Sequence, residues 1–596
     1  MEDWKAALGQ ALSDLKQSKI QHPQIQHPQV NKERGIAESA PVKTKTIQEQ
    51  ARTSGVTSGV TGRSNVVLPP KPASTPIFDR AQNSRAGKKP DKGTGRFPLA
   101  ASIPVSKPVS QKSIEVRADG KRHISKPQFL PNVVQQPATR AVDPTFNAPD
   151  MSKYRIRHSK ATGATTQAWQ EIGKFVVLNP GENRGRAQCT IGLDFGTAFT
   201  KACVQFRGVT YVVDWSLAVP GCTASLLPGV FSTLQDGTCV LGEVGESRCG
   251  DLKIALMERR DHSSQVNTVV FLALATRYIR AWLFTTLKTV FSGFQVEWFV
   301  NVGLPTVPWE EPQMSALYEK ITLAAWDLGT SARVINLLEA EKLVSQSDAR
   351  AEVAASINRE RINSFPEFVA QIASYVQSAQ RRNDLHLLVD VGAGTVDVVL
   401  FHIGNNEVED DSFLIHRSSI VRHGTHILLG YRADAGDLSQ TEWDEEFARL
   451  GGRDFEIRSG LASLTLVPVD DYFSERLFLV VRRLVAETKQ FRYQTSPVWQ
   501  SGLPFLLCGG GKDLDVYKNS MNQARSQWPL LEMKLALPES FVATAVGPSE
   551  FHRVSVAHGL SFSADNLGQI QPEAEVPDIR RVQGASINLS ERYIEK

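Results

Sequence analysis

Three short stretches of this 596-residue sequence concentrate the side chains that can do chemistry. The first runs from Cys189 to Val204: an apolar run ending in Leu193-Asp194, then Gly196-Thr197, then a second apolar run. That pattern predicts a β-hairpin whose tight turn presents backbone N–H groups and the Thr197 hydroxyl. Successive N–H groups at such a turn can cradle phosphate oxygens. Gly196 lets the backbone approach an anion with no Cβ in the way, and Asp194 is placed to hold a hydrated Mg²⁺ through water.

The second stretch repeats this chemistry about two hundred residues later. Leu387 to Asp390 reads as a buried strand, Gly392-Ala393-Gly394-Thr395 as a turn, and Val396 to Leu400 as the returning strand. Asp397 follows Asp390 by seven positions. Two opposed loops of this kind can grip a polyphosphate from both sides, leaving carboxylates for a metal and for orienting water. The third stretch, Phe505 to Lys512, is a strand running into Gly509-Gly510-Gly511, which suits backbone lying flat against a base or ribose.

Elements that could position these groups follow from the wider pattern. From about residue 168 to 568, strand-like apolar runs alternate with helical patterns, which predicts an α/β architecture. Before that the composition changes: residues 1–186 hold 30 basic and 14 acidic side chains and 17 of the 31 prolines, whereas 187–596 hold 37 basic and 49 acidic. Residues 21–167 are therefore expected to be a disordered basic linker, preceded by a short amphipathic helix over 1–20 that carries Trp4, Leu8, Leu12 and Leu15. That helix or the basic arm is where a protein partner is expected. Nucleic acid is the weaker alternative, because the basic residues are scattered and few aromatics lie between them. The most apolar long stretch, Val269 to Leu287, contains Arg277 and Arg280, so no membrane span is predicted. Six cysteines without metal-ligand spacing, and a start without an apolar signal region, predict reduced thiols in a cytoplasmic protein.

In their order, the three stretches resemble the first phosphate loop, second phosphate loop and adenosine loop of the superfamily joining actin, sugar kinases and the seventy-kilodalton heat-shock chaperones. The similarity is nearest to the chaperone ATPase domain and spans residues 168–568, with a first lobe over about 187–385, a second over about 386–550, and a tail over 569–596. It implies a two-lobed, actin-like ATPase fold with a central nucleotide cleft, ATP and Mg²⁺ as cofactors, and ATP hydrolysis as a conformational switch for a partner. By resemblance, Asp194 and Asp390 would serve the metal and Gly196, Thr197, Gly392, Gly394 and Thr395 the phosphates. Gly509 and Gly510 would line the nucleoside pocket. Asp390 and Asp397 would organise the attacking water, and Lys253 would neutralise charge at the γ-phosphate.

The segment Asn336 to Glu341 resembles the first connecting segment, so Glu339 or Glu341 would carry its glutamate, and Val554 to Gly559 resembles the second. Glu487 and Lys489 lie near an adenine-side helix but out of the family's spacing, which favours a solvated helix face. Ala393 in place of a glycine, and Ala198-Phe199 in the first loop, depart from the family. They leave open a noncatalytic ATP-binding scaffold, and an actin-like filament former is the other alternative. The short tail after Gly568 predicts that the chaperones' peptide-binding domain is lacking.

Overall fold

The computed structural model describes residues 148–157, 163–174, 184–244, 247–350, 361–405, 411–542 and 546–579. The expected amphipathic helix over 1–20, most of the basic linker and the end of the tail lie outside them.

The first lobe is built on β1 (Arg186–Phe195), β2 (Phe199–Phe206), β3 (Val209–Val212), β4 (Gln295–Leu304) and β5 (Ile362–Pro366). β1 to β3 form an antiparallel meander, while β4 lies parallel to β1 on its other side and β5 parallel to β4. The spatial order is thus β3-β2-β1-β4-β5. β1 is central, and its residues 189–195 are buried on both faces. That is why they read as an unbroken apolar run rather than an alternating one. Between β3 and β4 lie α1 (Leu252–Glu258) and α2 (His262–Thr286).

α2 is capped by the Asp261 carboxylate, which accepts from Ser264 N–H at 2.7 Å. It is long and apolar enough by composition to cross a membrane. In the fold it is a core helix, and its buried Arg277 is satisfied by the carbonyls of Leu328, Gly329, Ser331 and Arg333 at 2.8–3.0 Å. An arginine can be buried there because main-chain oxygens replace its water.

After β5, α3 (Glu367–Val376) leads into the second lobe. Its sheet is β6 (Asp384–Val391), β7 (Val396–Asn405), β8 (Asp411–Val421), β9 (Leu503–Cys508) and β10 (Leu530–Glu532), with α4 (Thr425–Ala435) following β8. The pairing repeats that of the first lobe strand for strand: β6 to β8 antiparallel, β9 parallel to β6, β10 parallel to β9. Each sheet also gains a late strand parallel to its third strand, Phe541–Val542 on β3 and Gln569–Gln571 on β8. The mixed α/β fold therefore contains one topology twice. The second lobe was expected to run to about 550, but the chain is already back on the first lobe's sheet at Phe541. Two-residue pairing with a strand 330 residues away leaves no local sequence pattern.

α5 (Ser555–Leu560) lies against both β1 and α3. A Cβ on Gly559 would overlap the Ala370 carbonyl and one on Gly192 would overlap that of Ala557. Backbone meets backbone at these crossings, so only glycine fits.

The linker expected up to residue 167 ends earlier. Arg155–Arg157 is a strand parallel to Glu442–Asp444 of the second lobe, and Gly163–Lys174 is a helix whose Trp169 packs edge-on to Tyr278 of α2 at 5.2 Å. Arg155 reaches Glu442 at 3.3 Å and Glu243 of the first lobe at 3.4 Å. A three-residue strand paired through arginine and glutamate has no apolar run to announce it. All six cysteines are free thiols.

Candidate functional site

Each β1-to-β2-type hairpin brings its Asp to the same end of its sheet, and the two ends meet. In the first hairpin Asp194 stands opposite Lys201 across the ladder, and their side chains form an ion pair of 2.9 Å. A Cβ on Gly196 would overlap the Phe199 carbonyl, so the turn closes only with glycine.

In the second hairpin the Gly392 N–H donates to the Thr395 carbonyl at 2.9 Å, closing the turn. The carbonyls of Gly392, Ala393 and Gly394 accept from the N–H groups of Thr425, His426 and Gly424, so this loop caps the start of α4. A Cβ on Gly394 would lie 3.2 Å from the Thr197 methyl and 3.3 Å from Ile254. The two bends face one another and nearly touch. Gly509, at φ +83°, tucks beneath them: a Cβ there would overlap the Val391 carbonyl and lie 2.5 Å from Asp390 Oδ1. Gly510 has nothing within 4 Å of where a Cβ would be and opens onto the cleft.

Asp194, Lys253, Asp390 and Asp397 line this cleft with Gly196, Thr197, Gly392, Thr395, Gly509 and Gly510. Gln371 of α3 donates to Asp390 Oδ1 at 2.9 Å. Burial raises Asp390 above the ordinary carboxylate range, against the Gln371 hydrogen bond. Asp397 Oδ2 accepts from the N–H and hydroxyl of Thr306 at 2.9 and 3.0 Å, while Oδ1 is buried with no hydrogen-bond partner among the described residues. Burial, opposed by the Thr306 N–H, pushes Asp397 up to about 7.

Lys253, on α1, is buried and paired with Glu367 at 2.7 Å. Burial works against its charge, but Glu367, Tyr318 and Asp194 together outweigh it and keep Lys253 above its usual range.

Neither glutamate that the resemblance offered for the first connecting segment lines the cleft. Glu339 pairs with Lys342 at 2.6 Å and Arg333 at 3.7 Å, and exposed Glu341 lies 3.8 Å from His262. Asn336 caps that helix by accepting from Glu339 N–H, which explains the motif-like spacing. Two glutamates do line the cleft: Glu367, the first residue of α3 after Pro366, and Glu445 of the second lobe. Glu487 and Lys489 are outside the cleft, near Arg417 at 3.6 Å and over the Trp499 ring.

Sequence reasoning also missed Lys201, Gln371, Arg449 and Arg553, all of which line the cleft. Only Lys201 carried a signal: it follows Asp194 by seven positions, as Asp397 follows Asp390.

These features fit a polyphosphate carrying a hydrated cation. Hard carboxylate oxygens suit Mg²⁺, a buried Oδ1 on Asp397 needs a partner, and glycines keep Cβ atoms out of the cradle. Among the described residues no three His, Cys, Asp or Glu side chains gather as a metal-ligand group, so a cation here would rely on phosphate and water for most of its shell.

The fold is a two-lobed, mixed α/β one whose two sheets share a topology. No protein-family model and no curated protein matches the sequence. Among solved structures, a non-polymerisable quadruple mutant of pCBH ParM is similar over 63% of this chain and 98% of its own, at 15% identity and a TM-score of 0.37. A 15-stranded ParM filament from Clostridium botulinum is similar over 63% of this chain and 97% of its own, at 13% identity and a TM-score of 0.31.

Proposed function

We propose that the cleft binds ATP with Mg²⁺, that water attacks the terminal phosphate there, and that movement of the lobes about α3 and α5 is the output. The observation that carries this reading is the opposition of the two glycine-bearing hairpins, with Asp397 Oδ1 buried and unpartnered beside them. Bound Mg²⁺ would neutralise phosphate charge and order the chain for in-line attack. Asp194 and Asp390 are the residues that would hold its water shell.

The chain's own contribution is positional and electrostatic. The turns at Gly196-Thr197 and Gly392 to Thr395 orient the phosphates, and Gln371 fixes the Asp390 carboxylate. Asp397, near 7, is poised to take a proton from water at neutral pH. The finer, chaperone-like reading is that closure is transmitted to a protein partner through the N-terminal arm. It rests on the motif resemblance and on Arg155, which touches both lobes.

Thermal unfolding with Mg²⁺ and ATP, GTP or no nucleotide tests binding. A ligand at one hundred times its Kd adds about 2.7 kcal/mol of apparent stability, so no shift with ATP removes the reading. Phosphate release by wild type, Asp390→Ala and Asp397→Ala then tests hydrolysis. A binding-only scaffold is the second reading, favoured by the commitment of Lys253 to Glu367. Stabilisation by ATP without phosphate release selects it. Sedimentation with and without ATP separates the filament-forming alternative.

A further inference from the structure

Two arginines reach the cleft from opposite lobes and belong to none of the three glycine-bearing motifs. Arg449 ends the 3-10 turn Glu445–Arg449 of the second lobe. Arg553 ends the 3-10 turn Pro548–Arg553, just before α5 beneath the first lobe's sheet. Both line the cleft, as do Phe199 and Gly510.

Arg449 lies over the Phe199 ring, its guanidinium carbon 5.6 Å from the centroid, so a second-lobe cation rests on the first-lobe hairpin. Its nearest carboxylate is Glu445 at 3.6 Å, which also meets His426 at 2.9 Å. The seat of Arg449 is braced from outside, because Glu445 directly follows the strand Glu442–Asp444 that pairs with Arg155–Arg157.

The charges of the cleft divide into pairs and remainders. Asp194 is matched by Lys201, Glu367 by Lys253, and Glu445 by His426 and Arg449. Among the described residues Asp390 and Asp397 have no cation in contact, and the Arg553 guanidinium has neither an ion pair nor a hydrogen bond. Burial and then the positive charge of Arg449 bring Arg553 down to about 10, with Glu550 and Glu445 opposing them only in part. A partly desolvated guanidinium with a like charge nearby is stabilised by an anion placed between them.

We propose that Arg449 and Arg553 form an anion clasp that takes the phosphate chain of the cleft's ligand from opposite lobes, so that ligand charge draws the lobes together. This rests on the nucleotide reading above and deepens it: the ligand class is a nucleoside polyphosphate, and a nucleoside alone lacks the group the clasp needs. Acidic residues serve the cation at one end of the site while the clasp serves phosphate oxygens.

The test is calorimetric titration of the full chain with Mg²⁺-ATP, inorganic tripolyphosphate and adenosine, for wild type, Arg449→Gln and Arg553→Gln, with melting curves as the folding check. Each variant is expected to lose at least tenfold in affinity for ATP and for tripolyphosphate, with adenosine unchanged. Arg449→Lys and Arg553→Lys, which keep charge without the planar fork, are expected to recover part of the loss. ATP affinity unchanged in both glutamine variants overturns the clasp while leaving nucleotide binding intact. Equal losses for adenosine and ATP also overturn it, since charge is then not what is read. Wild type binding neither ATP nor tripolyphosphate overturns the clasp and the nucleotide reading together.

Discussion

Asp397 stands in the second hairpin at the ladder position that Lys201 occupies in the first. Each faces the aspartate ending the preceding strand, Asp390 opposite Asp397 and Asp194 opposite Lys201. In one lobe the position makes an ion pair of 2.9 Å; in the other it sets two carboxylates together, both raised by burial. One topology used twice thus yields one hairpin whose aspartate is neutralised and one that is acidic. Under the proposed function, the acidic hairpin is the one that would serve the cation and the water.

That acidity has a pH signature. Folded Asp397 sits at about 7 against an ordinary 3.8, so between those values the native state keeps a proton that the unfolded chain has released. Stability of the ligand-free protein is expected to fall as pH rises from about 4 to 7, by up to about 1.4 kcal/mol per unit, and to stay low above that. Melting temperatures at pH 5 and pH 8 check this: the difference should shrink in Asp397→Asn. Phosphate release should drop below pH 7 in wild type and be lost in the variant at every pH.

The Lys253–Glu367 pair is buried, so removing one partner strands a charge. Lys253→Met and Glu367→Gln are each expected to cost roughly 3–5 kcal/mol. Lys253→Met combined with Glu367→Leu should cost clearly less than the sum of the single changes. Urea unfolding of the full double-mutant cycle measures the coupling, and simple additivity would show the pair to be absent in solution.

Two neighbouring glycines should behave oppositely. Gly509→Ala places a Cβ into the Val391 carbonyl at φ +83°, and a loss of at least roughly 2 kcal/mol in stability is expected. Gly510→Ala meets open space, so its melting temperature should match wild type while nucleotide affinity drops. Paired melts and titrations decide it, and a Gly510→Ala protein with unchanged affinity would move the nucleoside away from that residue.

Truncation should distinguish the arm from its root. A chain starting at residue 148 is expected to melt like the full protein. One starting at 175 loses Trp169 from its place against Tyr278 and Arg155 from its contacts with Glu243 and Glu442. Burial of a tryptophan of this kind is worth about 3–5 kcal/mol, and scanning calorimetry of the two truncations reads the difference.

By itself, the sequence determined what neighbours along the chain can encode: two strand-turn-strand units with Asp, Gly and Thr at the bend, a strand ending in three glycines, and the alternation that makes an α/β protein. Strand burial, turn glycines and the seven-residue Asp390 to Asp397 spacing are local, so they were legible. What tertiary structure alone decided is which distant groups share the cleft. Glu367 and Gln371 arrive on α3, Arg449 on a 3-10 turn of the second lobe, and Arg553 on the segment that returns to the first. Glu339 has the more motif-like local setting yet spends its charge on Arg333 and Lys342. A charge acquires its role from whatever packing brings within a few ångströms of it, and that proximity is set by sheet pairing and helix crossings hundreds of residues apart.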